Sequence, residues 1–154
     1  MRGNGKGDFV SMPGQNSGLK IYGEQRGSAV ADYDHDGRPD LVVTQNGSFT
    51  RLYRNALARP GLRVKVNSGP ANPTGVGAIV RLKFAEGKRG PARLITAGSG
   101  YWSQDSAVQV LATPAPPTHV ETSWPNNGET TSTAIPPGAK EIAIGRDGKL
   151  IPAK

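Results

Sequence analysis

The chain has 154 residues, room for one or two small domains, and a formal charge of +7. Glycine (21) and proline (13) together make about a fifth of it, the composition of short strands and many turns. No cysteine is present, which excludes a disulfide framework, a thiol nucleophile and a cysteine-ligated zinc site. No apolar run approaches the length of a membrane span, and the first residues lack the apolar core of a signal peptide. The charge is unevenly laid out: Arg51 to Arg93 holds ten Lys or Arg and one acid, Glu86. The acids cluster before and after that stretch, so an acidic loop is joined to a basic middle. No stretch keeps a 3.6-residue apolar period over three turns, so little helix is expected.

In chain order, residues 1–27 are polar and glycine-rich. Phe9 and Val10 suggest a short strand, and Leu19, Ile21 and Tyr22 a further apolar contact. Residues 28–55 read as strand, loop, strand, turn, strand. Asn46-Gly47 is a two-residue hairpin signal joining Leu41–Gln45 to Phe49–Tyr53. The loop, Asp32-Tyr-Asp-His-Asp-Gly-Arg-Pro-Asp40, carries the chemistry. Four carboxylates packed that closely repel one another unless a cation sits among them. A hard cation with oxygen ligands suits them, and Ca²⁺ accepts six to eight oxygens in a flexible shell. Alternate spacing points Asp32, Asp34 and Asp36 inward, and Gly37 permits the sharp turn. The carbonyl of Arg38 is placed as a backbone ligand, and Asp40 closes the shell. A shell made mostly of protein oxygens disfavours Mg²⁺. The loop is not an EF-hand: its twelfth position is Val43, where that motif needs Glu, and both flanks are strand-like.

With those residues in view, Gly27-Ser-Ala-Val-Ala-Asp-Tyr-Asp-His-Asp-Gly-Arg-Pro-Asp-Leu-Val-Val43 resembles an FG-GAP/VCBS-type β-propeller repeat, as in integrin propellers and many secreted bacterial proteins. The resemblance implies a Ca²⁺ loop between the first two strands of a blade, with Asp32, Asp34, Asp36, the Arg38 carbonyl and Asp40 as ligands. It also makes Gly7-Asp8-Phe9 look like the tail of a preceding blade. A propeller needs about four or more blades. This chain has room for one, so the expectation is a fragment of a larger exported protein.

Ala56-Leu-Ala-Arg-Pro-Gly61 marks the change of pattern, and the chain divides into a blade fragment, 1–58, and a second β domain, 59–154. Leu62-Arg-Val-Lys-Val66 and Arg81-Leu-Lys-Phe84 alternate apolar and basic residues. Further strands are expected at 92–97, 107–111, 119–124 and 140–144, with a small final hairpin at Asp147-Gly148. Asn72-Pro-Thr-Gly-Val-Gly-Ala78, Gly98-Ser-Gly-Tyr-Trp-Ser-Gln104 and Trp124-Pro-Asn-Asn-Gly128, in that order, resemble the ASPIC/UnbV domain that follows FG-GAP repeats in cartilage-acidic-protein-like and bacterial exported proteins. The fold expected is therefore all-β: a partial propeller blade packed on an antiparallel β-sandwich of ASPIC/UnbV type.

Other candidate sites are weighed beside their plainer readings. Asn72, Gly75 and Gly77 read as a tight turn needing positive φ before they read as a ligand loop. Tyr101, Trp102 and Gln104 suit a sugar, with aromatic faces to stack and an amide to bond hydroxyls. With nine aromatics in the chain, Tyr101 and Trp102 are expected to fill the core instead. Arg63 and Lys65 share one side of their strand, and Arg81 and Lys83 one side of theirs. If those strands pair, four cations form an anion-binding strip, with Arg93 alongside. No acid/base pair or triad is evident around His35 or His119, so a non-catalytic protein is expected. The function expected is a calcium-binding extracellular or cell-surface adhesion module with a protein or polysaccharide partner. The alternatives are a carbohydrate-binding module, or a subunit that builds an oligomer or filament through open strand edges. Nucleic acid is disfavoured, since neither a reader helix nor an aromatic-and-basic platform is present.

Overall fold

The computed structural model describes residues 1–4, 6–126 and 128–152. It is all-β, and among the described residues α-helix is limited to α1 (Gly14–Ser17). β1 (Arg2–Gly3) and β2 (Phe9–Val10) form an exposed two-stranded ribbon. β3 (Gln25–Ala31), β4 (Asp40–Gln45) and β5 (Arg51–Tyr53) form a three-stranded antiparallel sheet in sequence order. Gly47, at φ 65°, turns β4 into β5 as the Asn46-Gly47 signal implied, although β5 starts two residues beyond Phe49, which stays exposed.

The remaining strands make two four-stranded sheets. They are β6 (Leu62–Asn67), β7 (Ile79–Phe84), β8 (Arg93–Leu94), β9 (Gln109–Leu111), β10 (Pro117–Ser123), β11 (Thr130–Ala134), β12 (Glu141–Gly145) and β13 (Leu150–Ile151). One sheet runs β11-β10-β7-β8, the other β13-β12-β6-β9. β6 lies parallel to β12 and antiparallel to β9, and the other pairings are antiparallel. Both sheets turn apolar residues into one shared core: Leu62, Val64 and Val66 from β6, Val80 and Leu82 from β7, Val120 from β10, Ile142 and Ile144 from β12. Burying each such side chain contributes about 1.5–3 kcal/mol. This shared core therefore lies wholly beyond residue 61, and it is aliphatic apart from Trp124, whose indole N–H reaches Thr131 Oγ1 at 2.9 Å.

Three expectations are corrected here. First, β6 and β7 do not pair: they belong to different sheets, because the loop between them is long enough to cross from one sheet to the other. Arg63 and Lys65 are thus separated from Arg81 and Lys83, and the four-cation strip is not assembled. Both lysines among these cations are also paired: Lys65 with Glu141, and Lys83 with Glu121 at 3.1 Å. Second, Tyr101 and Trp102 do not fill the core but stand 69% and 82% exposed. Aliphatic residues fill the space between the sheets. Third, of the two edges of the blade sheet the one at β3 is not open, while β5 pairs on one side only. Ser28 N–H donates to Ser103 Oγ (2.9 Å), Val30 N–H to Asp105 Oδ1 (2.8 Å), and Ser106 N–H to the Val30 carbonyl (2.9 Å). Residues 103–106 thereby satisfy an edge that would otherwise invite another strand. Gly27 permits this approach, since a Cβ there would lie 2.4 Å from the Trp102 carbonyl oxygen.

Candidate metal centre

Ala31 at the end of β3 pairs with Asp40 at the start of β4, and this pairing closes the loop 32–39 at its base. The loop turns through His35 (φ 62°) and Gly37 (φ 82°). Gly37 is also required by packing: a Cβ there would lie 3.1 Å from the Gly61 carbonyl oxygen and from Pro60 Cβ.

Backbone donors aim the carboxylates. Asp32 accepts from Asp36 N–H (3.0 Å) and Gly37 N–H (2.8 Å), and Asp40 from Tyr33 N–H (3.2 Å) and Asn55 N–H (2.8 Å). The short-range turns that aspartate favours in loops are made by Asp34 and Asp36, which accept from Asp36 N–H (3.3 Å) and Arg38 N–H (2.9 Å). Asp32 and Asp40 are buried, and Asp34 stays exposed. Asp32, Asp34 and Asp40 each present one oxygen to a common point, all within 4.8 Å of one another. Three converging carboxylate oxygens fit a hard divalent cation.

Asp36 is outside that trio. Its Oδ2 accepts from Arg38 Nη1 (2.7 Å) and Arg54 Nη2 (3.0 Å), and its Oδ1 from Arg38 N–H (2.9 Å). Desolvation would raise the Asp36 carboxyl, but the Arg38 bonds and the nearby Arg54 charge outweigh it and hold the carboxyl below the usual range. The Arg38 side chain also bonds the Ala58 carbonyl at 2.6 Å.

Two residues of the site were not anticipated. Arg54 bonds Asp34 Oδ2 at 2.7 Å as well as Asp36, and its bond to Asp34 raises its own proton affinity most. Arg63 reaches the loop from β6: Nη1 bonds the Asp32 carboxylate and, at 3.3 Å, the Asp32 carbonyl, while Nε bonds Glu141 Oε2 at 2.6 Å. It is buried although it points away from the core, because the loop covers that side of β6. Asp32, Asp34 and Asp36 thus pair with three guanidiniums, from Arg63, Arg54 and Arg38, while Asp40 is held by backbone N–H groups. The opposite charge of the loop and the basic middle was the one sequence signal for this contact.

The other candidates fall elsewhere. Asn72 makes a turn by bonding Val76 through both its amide oxygen (2.9 Å) and its amide nitrogen (2.8 Å), with Gly75 and Gly77 at positive φ. The Tyr101 and Trp102 rings stack with centroids 5.7 Å apart at 27°. Gln104 is exposed beside them. Tyr101 walls a groove whose other sides include Gln25, Arg26, Ser28, Leu41 and Val43.

Comparison with known families agrees with the strand–loop–strand reading: residues 26–55, from β3 to just past β5, match the FG-GAP repeat. The match covers the whole acidic loop and Arg54. A comparison with curated proteins gives no match.

Proposed function

We propose that this chain is a non-catalytic, calcium-binding recognition module of an exported protein: one FG-GAP blade followed by a two-sheet domain of ASPIC/UnbV type. FG-GAP repeats occur in extracellular proteins and often hold calcium. The observation that carries the reading is the convergence of Asp32, Asp34 and Asp40 on one point. Those three residues would hold Ca²⁺, with Asp36 and the Arg38 carbonyl completing the shell. The ion would neutralise the remaining acidic charge and fix the turn between β3 and β4. The role is structural, and recognition falls to the surface of the second half. Among the described residues no helix is long and apolar enough to cross a membrane.

The test is thermal unfolding after EDTA treatment, with Ca²⁺ or Mg²⁺ added back, for wild type and Asp34→Asn. At a hundredfold excess over Kd, Ca²⁺ should stabilise the wild type by about 2.7 kcal/mol, raising Tm by about 5–10 °C. Mg²⁺ should do much less, and Asp34→Asn should lose most of the shift. No response of the wild type to Ca²⁺ would sink the reading.

A second reading concerns the recognition surface, and the exposure of Trp102 favours it. Two stacked aromatic faces beside a groove with amide, hydroxyl and guanidinium groups suit a neutral oligosaccharide, which offers C–H faces and hydroxyls together. Trp124 is 2% exposed, so the solvent-exposed part of the tryptophan emission belongs to Trp102. Titration with cellohexaose, xylohexaose and laminarihexaose should quench or blue-shift that emission, and Trp102→Ala should abolish binding. Silence with all three sugars would turn the surface over to a protein partner.

A further inference from the structure

The two arginines that reach the loop from outside it differ in their freedom to leave. Arg63 has a side chain 6% exposed and is anchored on both sides, by Glu141 and by Asp32. Removing one partner from such a buried pair strands a charge, so Arg63 stays in place whatever the loop holds. Arg54 has a side chain 53% exposed, and its only ion-pair partners among the described residues are Asp34 and Asp36. Asp34 belongs to the converging trio, and Asp36 is the carboxylate turned away from it. Of these two arginines Arg54 is therefore the removable one, and it bonds both Asp34 and the carboxylate that a cation would need to gather as a fourth ligand, Asp36, which Arg38 also holds.

We propose that Arg54 is a tethered counter-cation for the acidic loop, competing directly with a divalent cation for Asp34 and Asp36. This rests on the metal reading given above. Without a divalent ion, Arg54 screens the repulsion between Asp34 and Asp36 and holds the loop in shape. Loading releases Arg54 to solvent; Asp36 must then also give up its Arg38 Nη1 bond to turn Oδ2 inward, while Arg38 keeps its bond to the Ala58 carbonyl. The site is thus set to a weaker affinity than four aspartates would give alone, in exchange for a loop that keeps its fold when empty. Exchange of an exposed pair is a modest step, so the effect on affinity is modest too.

Calorimetric titration of the whole chain with CaCl₂, for wild type, Arg54→Gln and Arg54→Lys, tests this. Arg54→Gln should bind Ca²⁺ about three- to tenfold more tightly than wild type, and should melt at a lower temperature in EDTA. Arg54→Lys keeps the charge without the two-pronged fork, so it should fall between them in both measurements. Equal or weaker Ca²⁺ binding by Arg54→Gln, with wild type binding normally, would overturn the proposal alone. Absence of binding by wild type and both variants would overturn the metal reading, and this proposal with it.

Discussion

Thr122 sits wholly buried on β10, between Val80 and Thr131 on the flanking strands, and its hydroxyl has no hydrogen-bond partner. A buried unpaired hydroxyl carries its desolvation penalty uncompensated. Valine has nearly the same shape and the same β-branch. Thr122→Val should therefore raise stability by about 1 kcal/mol, read as a Tm increase of about 2–4 °C. An unchanged or lower Tm would show that the hydroxyl is satisfied. Arg63 makes the complementary point about what a sequence shows. Alternation along Leu62-Arg-Val-Lys-Val66 correctly put Arg63 on the side away from the core. It says nothing about what covers that side, and here the acidic loop covers it. The four loop aspartates were legible because spacing and charge repulsion are local facts. Their arginine partners were not, because Arg54 and Arg63 arrive 20 and 31 residues from the aspartates they bond.

Elements defined by local turn chemistry were the easiest to read. Asn46-Gly47 joins β4 to β5, the acidic loop joins β3 to β4, and Asp147-Gly148 joins β12 to β13. Elements defined by distant neighbours were not. β11, Thr-Thr-Ser-Thr-Ala, has one apolar residue and no apolar alternation, and it exists because β10 offers it an edge. The strand expected at 92–97 shrinks to Arg93–Leu94, although Ile95 just beyond it enters the core. The assumption that neighbours in sequence pair in a sheet holds for β3, β4 and β5 and fails for β6 and β7. That one error produced the anion-binding strip.

Across the whole molecule, the acidic loop and the basic middle fold against each other, and Glu141 extends the contact. β6 and β12 run parallel with Glu141 opposite Arg63, so Glu141 meets both Lys65 and Arg63 while Arg63 meets Asp32. The Lys65 hydrogen bond, then that of Arg63, hold the Glu141 carboxyl below the usual glutamate range. A carboxyl with a native pKa below its unfolded one binds its proton first in the unfolded chain, so its contribution is complete above the unfolded value. That contribution is lost as pH falls below about 4. Tm measured against pH should be flat near neutrality and fall through that acid window. Glu141→Gln should melt lower at pH 7 and show a shallower acid slope, and an unchanged slope would remove Glu141 from this role. The same parallel pairing also governs the order in which the chain can fold. β6 is the first strand of its sheet and β12 nearly the last, 73 residues separating Asn67 from Glu141 by number but for the strand ends themselves. Such a contact closes a long loop before it yields any stabilisation, which slows folding. A nascent chain must therefore be synthesised through β12 before the sheet behind the acidic loop can assemble, whereas the β3–β4–β5 meander can form from local contacts well before.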